Sequence, residues 1–174
     1  AFAGGGAYFS ATVTVSGTTF TNNVATANRG GGAYFNGVAT LLNTTFTGNG
    51  ALADRGAGAY FRVAADVTGS SFISNVASNR AGGAYFNAAA TLTNTDFLSN
   101  TATARAGGAY VGGAATVSGG LFQANQCTSS CLGGGLFVSD TLTLNSVQFI
   151  SNTTDGVGGA LIFPATLALL VNVF

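Results

Sequence analysis

Apolar and polar residues alternate through this chain in short bursts, never at helical spacing. Thr sits between apolar residues in Ala11-Thr12-Val13-Thr14-Val15, and Thr91-Leu92-Thr93 keeps the same alternation. Period-two patterning with β-branched residues predicts strands, and no segment sustains a 3.6-residue period. The bursts recur. Each one runs on to a Phe, at Phe20, Phe46, Phe72, Phe97, Phe122, Phe149 and Phe174, in steps of 25 to 27 residues. An Asn follows three places later at Asn23, Asn49, Asn75, Asn100, Asn125 and Asn152. A Gly precedes a small residue and an apolar pair in every copy, at Gly6, Gly32, Gly58, Gly83, Gly108, Gly134 and Gly159. Self-similarity at this period marks a repeat architecture, in which neighbouring units bury a continuous core.

Two or three short strands per repeat, without hairpin signals, predict an all-β fold. The expectation is a parallel β-helix (β-solenoid) of about seven coils, 25–27 residues each, forming one domain over residues 1–174. Right-handedness follows from the crossover preference. Coils lie about 4.8 Å apart, so each column stacks on itself. The Phe column, beside Val15, Leu41, Val67, Leu92, Val117, Leu144 and Leu169, is the expected core. The Gly column marks a corner that needs either φ > 0 or the absence of a side chain. The Asn column predicts an amide ladder. Thr14, Thr40, Asp66, Thr91, Thr116 and Thr143 form a polar column facing outward.

Composition narrows the function classes. Charged residues are 6%, with five Arg against five Asp and no Lys, Glu or His; about 25% is ordinary. Such a chain has no long-range field with which to collect nucleic acid or an anionic membrane. With 47% hydrophobic residues and fourteen Phe, the composition argues against disorder. The uncharged run over residues 157–174 has the length of a membrane span. Gly159 and Phe174 hold the repeat register there and Pro164 interrupts it, so a seventh coil is expected and no membrane insertion. Cys127 and Cys131 share one loop as CTSSC. A tight disulfide is the expectation, implying an oxidising, extracellular setting; two free thiols are the alternative. No metal site or cofactor is expected, because a zinc centre needs two further ligands and the chain has no His.

Four arginines, Arg29, Arg55, Arg80 and Arg105, fall four residues before the Ala of GGA and should stack along one edge. That column reads either as an anion-binding stripe or as solvated loop positions, with Asp54 neutralising one member. The anion would be a sulfated or sialylated glycan, phosphate or a neighbour's carboxylate. The Thr column resembles a TxT array, which can bind ice on flat solenoid faces, but Leu42, Asp66, Asn145 and Ala168 interrupt it. Enzyme chemistry is not expected. Asp54, Asp66, Asp96, Asp140 and Asp155 fall on different columns, and a glycosidase needs paired carboxylates. Asn43 and Asn152 lie in N-x-T sequons, candidates for glycosylation in an exported chain.

The GGA triplets at 5–7, 31–33, 82–84, 107–109 and 158–160, linked to FxxN, resemble the repeats of the chlamydial polymorphic outer-membrane proteins and related bacterial surface adhesins. That resemblance implies a β-helical, surface-displayed and adhesive protein. The chain opens beside its first GGA and closes on a repeat Phe. Either the chain is a slice of a longer array, or uncapped coils are expected to meet at its ends, with Tyr8 and Phe9 at one and Leu161, Ile162, Leu169 and Val171 at the other. The functional expectation is an extracellular or cell-surface structural subunit that assembles with itself, head to tail, into a filament or sheath. The alternative is the passenger of an adhesin that binds glycan or protein on a surface.

Overall fold

The computed structural model describes residues 3–52, 54–129, 131–162 and 167–171. Every regular element among them is a β-strand, and no helix is long and apolar enough to cross a membrane. The first coil carries β1 (Ala7–Phe9), β2 (Val13–Ser16), β3 (Thr19–Thr21) and β4 (Val24–Ala25). The second repeats them as β5 (Ala33–Phe35), β6 (Ala39–Leu42), β7 (Thr45–Thr47) and β8 (Gly50–Ala51). Each strand pairs in parallel with its counterpart one coil on, and this builds four sheets of seven, seven, six and six strands. The chain is a parallel β-solenoid of six full turns and the opening of a seventh. Sequence patterning indicates two or three strands per coil where the structure has four. The fourth is only two residues long, as in Val76–Ala77 or Thr101–Ala102, too short to display an alternation.

Inward-facing positions of the first three sheets make one core. Phe46, Phe72, Phe97 and Phe122 are fully buried beside Leu41, Val67, Leu92, Val117 and Leu144. Parallel register sets the packing: Phe72 lies on Phe46 and Phe97, and ring centroids along this stack are 4.8 to 5.0 Å apart. Phe9, Phe35, Phe61 and Phe86 form a second stack. The coil spacing leaves room for offset faces and little else. Phe149 is half-buried, and Phe174 lies outside the described residues. In the last coil the register shifts between Leu142 and Thr143, so Leu170, not Leu169, pairs with Leu144. Leu169 instead pairs with the outward column at Thr143. One extra residue on the Leu167–Val171 strand makes the bulge and shifts the pairing of the residues after it by one.

The coil turns at residues of positive φ. One corner column is Gly17, Asn43, Gly69, Asn94, Gly119 and Ser146. Asn43 reaches over Gly69, where a Cβ would stand 2.5 Å from its Oδ1.

The Gly6 column answers to space instead, since none of its glycines has positive φ. A Cβ on Gly83 would lie 2.6 Å from the Gly108 carbonyl oxygen and 2.8 Å from the Phe97 ring. Gly83→Ala is therefore expected to cost about 1–3 kcal/mol as overpacking, read as a lowered urea midpoint with unchanged slope; a neutral result would refute the contact. Membership of this column needs one correction. Gly134 and Gly159 do not belong to it, because Ala109 pairs with Leu136 and Leu136 with Leu161. Gly135 and Ala160 hold those positions, while Gly134 and Gly159 stack one column earlier. The cause is an insertion in the return loop: Ala102 pairs with Cys127, twenty-five residues on, but Arg105 pairs with Leu132, twenty-seven on.

Candidate functional site

Two columns carry the polar chemistry. The first is the Asn ladder inside the coil. Asn75 Oδ1 accepts the backbone N–H of Asn49 at 2.9 Å and its Nδ2 at 3.0 Å. Asn75 Nδ2 donates in turn to Asn100 Oδ1 at 2.9 Å and to the Phe46 carbonyl at 2.9 Å. The same pattern links Asn23, Asn49, Asn100, Asn125 and Asn152. Asn fits because its amide supplies acceptor and donors at one point, and because Gly at the facing corner leaves room for it. The Asn-to-Asn bonds all run one way, with donors of one coil meeting Oδ1 of the next, while the second Nδ2 proton reaches back to a Phe carbonyl of the preceding coil.

The second column lies on an outer edge. Strand alternation turns Tyr60, Tyr85 and Tyr110 away from the Phe core. They are nevertheless nearly fully buried, forming a satellite cluster with Ala81, Ala106 and Phe137. What shields them is the arginine column. Each guanidinium lies over the ring one coil on: Arg29 over Tyr60 at 5.0 Å, Arg55 over Tyr85 at 5.2 Å, Arg80 over Tyr110 at 6.0 Å and Arg105 over Phe137 at 5.5 Å. Cation–π attraction of this kind is worth about 0.5–2 kcal/mol, more as water is excluded. The arginines are thus not free loop positions but are held against the rings. After Arg105 the column continues as Leu132 and Val157; counting four residues back from the residue after each Gly-Gly pair would have put Cys131 and Gly156 there, and the inserted return loop displaces that count by one.

The four members differ in their partners. Asp54 spans two of them, accepting Nε of Arg29 on Oδ2 and Nε of Arg55 on Oδ1, both at 2.9 Å. Arg29 Nη1 also donates to the Tyr60 hydroxyl at 3.1 Å, and Arg55 Nη1 to the Tyr85 hydroxyl at 3.3 Å. Burial works against the charge of Arg29, but Asp54 and Tyr60 outweigh it and raise its pKa. Burial pushes the Tyr60 phenol up although Arg29 pulls it down. Arg80 has no such carboxylate, and its Nε is buried without a partner, an unmet donor costing about 1–3 kcal/mol. Sequence reasoning found the arginines but missed the rings beneath them. The signal was present, since Tyr follows the small residue in coils that carry Arg and gives way where Leu132 and Val157 replace it.

The remaining candidates separate. Cys127 and Cys131 are joined by a disulfide that closes the inserted loop. Asp96 accepts the Leu121 N–H at 3.0 Å, and Asp140 accepts the N–H of Thr141. Among the described residues no acidic, Cys or His cluster has the make-up of a metal site. Asn43 is exposed at a positive-φ corner. Asn152 is engaged in the ladder through Oδ1 and Nδ2. Tyr8 is exposed, Phe9, Leu161 and Ile162 are half-buried, and Val171 is exposed; the Leu169 side chain lies outside the described residues. No family model, curated protein or solved structure matches the chain. The likeness to the chlamydial repeats therefore rests on the GGA and FxxN motifs.

Proposed function

We propose that this chain is the structural β-solenoid of an exported protein, and that its coils stack head to tail on those of a second copy. The observation that carries this reading is the one-way complementarity of a coil face. Toward the next coil, each turn offers the backbone N–H and one Nδ2 proton of its ladder Asn and the carbonyl of its Phe; toward the preceding one, it offers Oδ1 and the other Nδ2 proton. The aromatic stacks continue by the same translation. A face of one kind fits only the other kind, so the contact is heterologous and grows without closing. The Cys127–Cys131 bridge supports an oxidising compartment outside the cytosol. Electron microscopy and fibre diffraction across a concentration series test the proposal. Filaments with an axial reflection near 4.8 Å are expected; short monodisperse rods at every concentration would sink it.

A second reading, the passenger of a surface adhesin, is favoured by the outward face of the second sheet. Thr14, Asp66, Thr91 and Thr116 stand exposed there in register, a hydroxyl-rich strip with a single acid, suited to glycan or another surface.

A further inference from the structure

We propose that Arg80 and Arg105 bind a carboxylate brought from outside the chain, in the manner in which Asp54 serves Arg29 and Arg55. The proposal is independent of how coils assemble, because it needs only two successive turns. The column supplies its own precedent: one carboxylate, on the residue just before Arg55, spans two successive Nε groups at 2.9 Å each. Arg80 and Arg105 repeat that spacing, paired strand to strand across adjacent coils. Both are held over rings like the first two, so neither head is free to wander.

What changes is the residue beside them. Ala104 precedes Arg105 where Asp54 precedes Arg55, so the chain keeps two cations and omits their shared acid. Neither guanidinium meets a carboxylate among the described residues, and Arg80 Nε is buried with no acceptor at all. The acids along this edge are engaged, Asp54 with its own pair and with Asn79 Nδ2, and Asp155 with the Cys131 N–H. Where the column has no use for a cation it is apolar, as at Leu132 and Val157. Two like charges on adjacent strands repel, and a shared anion reverses that. The planar fork of Arg matches a carboxylate by two parallel hydrogen bonds. The ligand class is therefore a carboxylate, either a free small acid or the uronate of an acidic polysaccharide.

The test follows the arginine Nε–H resonances of the full chain by 15N-correlated NMR. Acetate, galacturonate and polygalacturonate are titrated at constant ionic strength, with galactose as the neutral control. The expected result is a saturable shift at Arg80 and Arg105, with Arg29 and Arg55 unmoved. Response to acetate and galacturonate assigns a free acid, and response confined to polygalacturonate assigns a polymer; both support the site. Ala104→Asp should show the shifted Arg80 resonance without ligand and then ignore all three acids. Arg105→Leu, which copies Leu132, should stay folded and lose the response. The proposal is overturned if Arg80 does not move in the wild-type chain. It is equally overturned if exposed Arg62 moves as much as Arg80, or if Ala104→Asp leaves Arg80 where it was.

Discussion

Asn100→Ala is expected to lower the unfolding free energy by about 3–5 kcal/mol, from several buried groups left unmet at about 1–3 kcal/mol each. Asn100 Oδ1 accepts the N–H of Asn75 at 3.0 Å and its Nδ2 at 2.9 Å. Its own Nδ2 donates to the Phe72 carbonyl at 2.8 Å and to Asn125 Oδ1 at 3.0 Å. Truncation removes all four bonds, and the orphaned groups sit where no water reaches, because Asn75, Asn100 and Asn125 are fully buried. The loss also propagates, since each amide polarises its neighbours along the ladder. Asn87, exposed and making one bond to the Arg62 carbonyl, is the control. Its alanine variant should change stability by about 0.5 kcal/mol or less. Urea unfolding of both variants decides the matter: similar small losses would mean that the ladder contributes order without stability.

Phe97→Ala should cost a comparable amount, about 3–5 kcal/mol, by a different route. Phe97 is fully buried, with rings 4.8 Å away on each side, at Phe72 and Phe122. Neighbouring rings cannot close the gap, because the hydrogen-bonded ladders fix the coil spacing. The cavity therefore persists, and its full penalty is felt. Phe149→Ala, at a half-buried ring stacked on Phe122, should cost less. Since each coil contacts only its neighbours, a weak middle coil also threatens cooperativity. Scanning calorimetry should show a lowered and broadened transition for Phe97→Ala. A loss below about 1 kcal/mol would mean that the stack relaxes, contrary to a core of native density.

The period, the strands and the inward Phe column were legible because they use large side chains at fixed steps. Position failed where side chains vanish. Gly133, Gly134 and Gly135 are alike in sequence, so nothing there told that the return loop between Cys127 and Leu132 had already added two residues. Register was recoverable only from backbone pairing. The slip at Leu169 has a similar origin: in a run as apolar as Leu167 to Val171, either face is a plausible core face until the bulge is seen. In the sequence Tyr60 and Tyr85 stand as half of an apolar pair, and their partners, thirty-one and thirty residues upstream at Arg29 and Arg55, belong to a different column. A contact between columns leaves no periodic trace of its own.

The one-way amide ladder has a consequence for how such a molecule changes length. Asn75, Asn100 and Asn125 make the same bonds, so excising one repeat, twenty-five residues, would bring Asn75 against Asn125 with every donor and acceptor still matched. Losing a whole turn is then gentler than altering one of its residues. Gain or loss of a whole coil would leave the pattern of ladder bonds intact, so whole coils are the steps in which such a chain would change length.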